Sequence, residues 1–200
     1  PIALRPHSPV LSLQPSPILS CAQGDLPLLE ELACAFVKAQ AAQHVLYTEV
    51  RYSPHMLLAG VDYSFDEEAG ATAGKEAFAG EAAAIRRVVD AVTRGLERGC
   101  AAHPGVTVNQ ILCLIDGKPK WADGLTALAT QLYEETKSGQ AGACPVVGVD
   151  IAAGEAHFTE YLDAAARGGA TSANAASHMK AMRACAHCGL GLTNHAGESG

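Results

Sequence analysis

Several things are missing from this sequence, and each absence removes a class of protein. No apolar run approaches the roughly 18–20 residues needed to span a bilayer, so no membrane partner is expected. Basic residues are few: 14 Lys and Arg stand against 21 Asp and Glu, for a net charge of −7 and a pI near 5.6. A nucleic-acid partner needs a basic face, and none is present. No Gly-x-Gly-x-x-Gly follows a strand-like run and no phosphate loop occurs, so a dinucleotide fold has no support. The seven cysteines are scattered and odd in number, which favours reduced thiols in the cytoplasm over a disulfide framework.

What is present is a globular chain. Hydrophobic residues make up 48% of the 200 and the mean hydropathy is +0.10, enough for one domain with a core. Residues 1–24 read as a separate, extended lead-in. Pro1, Pro6, Pro9, Pro15 and Pro17 fall there, no acidic residue lies in Pro1–Gln23, and the prolines break any signal-peptide core. Residues 25–200 read as the domain. The first residue is Pro1, not Met, and the last lies inside a motif, so a piece of a longer protein is expected.

The spacing predicts a helix over Asp25–Ala42, capped by Asp25, with Leu28, Leu29, Leu32, Phe36 and Ala39 as its apolar stripe. A strand over Val45–Tyr52 puts Val45, Tyr47, Glu49 and Arg51 on one face, where Glu49 and Arg51 suggest an internal ion pair. Gly60–Lys75 reads as a loop. Ala77–Arg98 is the clearest helix, with Ile85, Val88, Val89, Val92 and Leu96 on one face and Gly99 closing it. A strand over Val106–Ile115, a helix over Trp121–Lys137 and a buried strand over Val146–Ile151 follow, then helices over His157–Ala166 and Asn174–Cys188. This alternation predicts an α/β fold with a parallel sheet and right-handed crossovers.

The last stretch carries the chemistry. Leu190–Thr193 reads as a short strand, with His195 at its carboxyl end and Glu198 three residues on. Ala196 and Gly197 let the backbone turn back, so a metal-capable imidazole and an acid/base carboxyl group share one strand tip. Two solvated polar residues at a strand end is the competing reading. The other candidates read as dull. Cys185 and Cys188 are buried thiols with no second ligand pair, and His178 is a helix-face residue beside Met179 and Met182. His44, His103 and His157 are boundary residues, and His55 is a strand-end residue without an assigned partner.

Four segments resemble the adenosine deaminase family, in the family's order and spacing. "EVRYSPHMLLAG" (Glu49–Gly60) is similar to its second-strand segment and "ILCLIDGKPKW" (Ile111–Trp121) to its third. "VVGVDIAAGE" (Val146–Glu155) is similar to the fourth, and "HAGE" (His195–Glu198) to the fifth. The resemblance runs from about Asp25 to Gly200. It implies a partial (β/α)8 TIM barrel of parallel strands, about strands two to five, with the N- and C-terminal parts of the barrel missing.

It further implies Zn2+ as cofactor, a purine nucleoside as substrate, and hydrolytic deamination of adenosine and 2'-deoxyadenosine to inosine and ammonia. His195 would be a zinc ligand and Glu198 the acid that protonates purine N1. Gly154 would contact the purine through its backbone amide, or Ala153 if "DIAAGE" carries no insertion. The chain departs from the family at Asp116, where a basic residue is usual, and it lacks the family's His-x-His in Pro1–Gln23. One imidazole cannot hold a catalytic zinc that needs about three protein ligands. The isolated chain is therefore expected to be inert, and the alternative is a truncated, non-catalytic fragment that binds nucleoside or a partner.

Overall fold

The computed structural model describes residues 21–60, 75–152 and 173–195. The helix read over His157–Ala166 and most of the loop read over Gly60–Lys75 lie outside the described residues, as do residues 1–20. Among the described residues, packing begins at Cys21–Gly24. Ala22 is buried against Leu29, Leu57 and Val88, and the Gly24 N–H donates to the Leu57 carbonyl at 2.9 Å.

Helix α1 spans Leu26–Ala42. The carboxylate of Asp25 accepts from the Leu28 N–H at 3.0 Å, satisfying one of the donors that a helix start leaves unpaired. Strand β1 (Tyr47–Tyr52) leads through a single 3-10 turn, His55–Leu57, towards α2 (Lys75–Ala102). Then come β2 (Thr107–Ile115), α3 (Pro119–Lys137), β3 (Val146–Ala152), α4 (Ala173–Cys188) and β4 (Gly191–Leu192).

The four strands lie in the order β1-β2-β3-β4 and every pair is parallel. Each crossover advances one place in the same direction. A doubly wound sheet would reverse direction at a switch point, whereas a (β/α)8 barrel never does. The fold is thus α/β with the strand progression of a TIM-barrel segment. The core lies between one sheet face and the helices. Leu112, Leu114 and Val149 pack on Ile85 and Val89 of α2, Leu125, Leu128 and Ala129 of α3, and Ala181 and Cys185 of α4.

Two details of the helices differ from the sequence reading. The buried face of α1 is Leu29, Ala33 and Val37, while Leu32 is exposed. Gly99 does not end α2, which runs on to Ala102. Both differences have one cause. Gly95 and Gly99 lie on the α2 face that receives α1: a Cβ on Gly95 would fall 2.7 Å from the Ala33 Cβ, and one on Gly99 2.6 Å from the Val37 Cβ. The glycines open a trough, and the residues that fill it define the buried stripe of α1.

Candidate functional site

Strand register decides which side chains meet. Neighbours paired across a parallel sheet point to the same face. Arg51 pairs with Ile111, Ile111 with Gly148 and Cys113 with Asp150, so Arg51, Cys113 and Asp150 share the face away from the helices. Beyond the short β4 the ladder continues: the Thr193 N–H donates to the Val149 carbonyl at 3.0 Å, and the His195 N–H to the Ile151 carbonyl at 3.0 Å. Two-residue alternation then brings His195 to that same face, next to Asp150.

Asp150 is the centre of the group. It is fully buried, and its Oδ2 lies 2.7 Å from His195 Nδ1 and 3.5 Å from Arg51 Nη1. The Cys113 thiol donates to the same oxygen at 3.6 Å. Burial first, and then the Asp150 charge, pushes the Cys113 thiol up to about 12, so it remains protonated at neutral pH. The His195 contact is close but lies off the ideal hydrogen-bond direction, and Asp150 Oδ1 is buried with no hydrogen-bond partner among the described residues. The ring of His195 faces the carboxylate rather than bulk water, and its side chain is 27% exposed.

This geometry suits a metal ligand. A carboxylate beside Nδ1 favours one ring orientation and leaves Nε2 as the nitrogen that could face a metal. Among the described residues, no group of three His, Cys, Asp or Glu side chains is placed to hold a metal ion. Gly154 and Glu198 lie outside the described residues.

Arg51 pairs with Asp150 rather than with Glu49, as the sequence reading had it; Glu49 instead accepts from the Tyr47 hydroxyl at 2.6 Å. Asp150 itself was not singled out from sequence. The signal was there, a lone carboxylate within the apolar run Val146–Ile151, two residues before the strand's end. A second polar group surrounds His55, which is buried. Its Nε2 lies 2.7 Å from Glu81 Oε1, and its ring stacks on Trp121 at 4.9 Å and 3°. His178 is also buried, and its Nε2–H donates to the Ile115 carbonyl at 3.1 Å, fastening α4 to the end of β2.

A one-directional parallel sheet, with an imidazole and a carboxylate meeting at the carboxyl ends of adjacent strands, defines the class of barrel proteins that keep their chemistry at that rim. The family profile described as adenosine deaminase matches residues 21–200, and the chain belongs to the adenosine deaminase family. Adenosine deaminase of Xenopus tropicalis is 28% identical over 179 residues, which cover 88% of this chain and 40% of that protein. Those of Rattus norvegicus and Bos taurus are each 29% identical over 174 residues, 86% of this chain. The chain thus spans about 40% of the length of the curated relatives it matches. No helix among the described residues is long and apolar enough to cross a membrane.

Proposed function

We propose that this chain is part of a zinc-dependent adenosine deaminase, converting adenosine and 2'-deoxyadenosine to inosine and ammonia as one section of a longer enzyme. The observation that carries the reading is the Asp150–His195 contact at adjoining strand ends, in a chain of this family. When bound, zinc lowers the pKa of its water so that hydroxide forms near neutral pH. The chain's own residues would do the rest. His195 would hold the metal, with Asp150 beside Nδ1 steadying the ring. Arg51 offsets part of the Asp150 charge. Glu198 delivers a proton to purine N1, making C6 open to attack, and Gly154 positions the base through its backbone amide. The segments Arg51–His55 and Ile111–Cys113 resemble those of the family's nucleoside enzymes, which favours a nucleoside over AMP or adenine. Seven free cysteines support a reducing, cytoplasmic setting.

Zinc content and inosine production test the reading in two forms: the 200-residue chain, and a form extended to the length of the relatives. The extended form is expected to hold about one zinc per chain and to release inosine; the 200-residue chain is expected to release none. In the extended form His195→Ala should lose zinc, and Glu198→Gln should keep zinc but lose turnover. Zinc-loaded extended protein that binds adenosine without forming inosine would replace the enzyme by a non-catalytic nucleoside-binding module.

A further inference from the structure

At the opposite, amino-terminal ends of the strands, two sulfur atoms meet. Cys100, in the last turn of α2, and Cys144, just before β3, place their Sγ atoms 3.7 Å apart although 44 positions separate them in sequence. Cys144 is buried and Cys100 is half-buried. A disulfide needs an S–S distance of about 2.05 Å, so about 1.7 Å of approach converts this contact into a bond.

The backbone around Cys144 is already held to the right place. The Ala143 N–H donates to Glu97 Oε1 at 3.0 Å, and Glu97 lies one turn before Cys100 on α2. The Cys144 carbonyl accepts from Gln110 Nε2 at 2.5 Å. Gln110 is fixed in turn: it donates to Thr93 Oγ1 at 2.9 Å and accepts from the Tyr52 hydroxyl at 2.7 Å. Both flanks of Cys144 are thus anchored beside the end of α2.

We propose that Cys100 and Cys144 are a reversible, peroxide-driven disulfide pair that ties the end of α2 to the α3–β3 connection. This does not depend on the catalytic reading. The half-exposed Cys100 reacts first. Its thiolate attacks one oxygen of hydrogen peroxide, an S–O bond forms, the O–O bond breaks and hydroxide leaves, giving a sulfenic acid. The Cys144 sulfur then attacks the Cys100 sulfur. The S–S bond forms, the S–O bond breaks, and the departing hydroxide takes the Cys144 proton as water. Two thiols lose two hydrogens and one peroxide becomes two waters.

Burial first, then the hydrogen bond to Cys100, pushes the Cys144 thiol up to about 12. A thiol shifted this way is little ionised at neutral pH and reacts slowly with peroxide, so the more exposed Cys100 takes the first step. In a reducing compartment the pair stays open until oxidant appears. The bond would enclose β2 and α3 and leave the Asp150–His195 end of the sheet untouched.

The test is peptide mapping of the full chain after stoichiometric hydrogen peroxide and thiol blocking. The expected product is a linked Cys100–Cys144 peptide pair with two hydrogens lost from the intact mass. Tm should rise by roughly 5–10 °C, and dithiothreitol should reverse both changes. Cys100→Ser should abolish the link. Cys144→Ser should leave a Cys100 sulfenic acid that dimedone captures; should that variant not fold, the wild-type map decides alone. Links scattered among the other cysteines, as in chain oxidised in guanidinium, would overturn the proposal. So would Cys100 advancing to sulfinic acid while Cys144 stays free.

Discussion

Asp150 is fully buried with few well-aligned contacts among the described residues. A carboxylate taken fully out of water needs well-aligned partners on both oxygens. Among the described residues, Asp150 has one oxygen with no hydrogen-bond partner, and on the other a long contact to Arg51, an off-axis contact to His195 and a weak thiol donor. Removing the charge strands nothing, because Arg51 is 42% exposed and can turn to solvent. Asp150→Asn is therefore expected to leave stability unchanged or raise it by about 1–2 kcal/mol in urea unfolding. The same variant in the extended protein should weaken zinc binding by about 10- to 100-fold, because His195 loses the group that orients it. Marked destabilisation in urea would show that the carboxylate serves the fold rather than the site. At this scale the strand-end position of His195 was legible, since it closes an apolar run, and that of Asp150 beside it less so. A carboxylate within a strand reads equally as a paired core charge, and only the register across β2, β3 and the continuation of β4 reveals that it meets the imidazole. His55 was illegible for the same reason, since its partners Glu81 and Trp121 come from two different helices.

Among the elements, the contact of α1 with α2 is set by what α2 lacks. A Cβ on Gly95 would lie 2.2 Å from the Glu30 carbonyl oxygen, a backbone atom that cannot swing aside. Helix propensity favours alanine over glycine by about 1 kcal/mol, but forcing two helix backbones apart costs about 1–3 kcal/mol. Gly95→Ala and Gly99→Ala should therefore lower the unfolding midpoint. Gly80→Ala, on the same helix with nothing within 4 Å of the new methyl, should raise it. A uniform effect of all three would refute the close-approach argument. Element positions were legible because periodicity and the Asp25 cap are local signals; the buried stripe of α1 was not, because the partner's glycines choose it. A second tie joins α2 to α3, where the Arg86 guanidinium grips both Glu135 oxygens at 2.9 and 3.1 Å. That hydrogen bonding is the main cause holding the Glu135 carboxyl below its ordinary range. A depressed carboxylate pKa stabilises the fold above the ordinary value, and the contribution fades as the pH falls through the depressed one. Glu135→Gln should cost about 0.2–1 kcal/mol at neutral pH. The gap to wild type should close in acid, which paired unfolding curves across pH would display.

For the whole molecule, the sheet leaves two strands with one neighbour each. Among the described residues β1 pairs only with β2, and β4 only with β3. The face of β1 away from the helices carries Tyr47, Glu49 and Arg51, and Asn109 Nδ2 donates to the Tyr47 hydroxyl at 3.1 Å. It is a polar row of the kind that lines a barrel interior, yet Tyr47 is 53% exposed here and Leu46, just before it, 73%. Exposed apolar groups beside an unpaired strand edge are a template for a second chain. The TIM-barrel assignment accounts for both features, since a closed barrel would cover the row and pair the edges. The 200-residue chain is accordingly expected to self-associate through β1, with a mass by light scattering that grows with concentration. A lysine at the edge opposes pairing, so Leu46→Lys should shift the distribution towards monomer while leaving the circular dichroism spectrum unchanged. The extended protein should be indifferent to the same substitution if closure covers that strand. A monodisperse monomer at high concentration, with or without the lysine, would mean that β1 is already covered, and the open-edge description of this chain would fail.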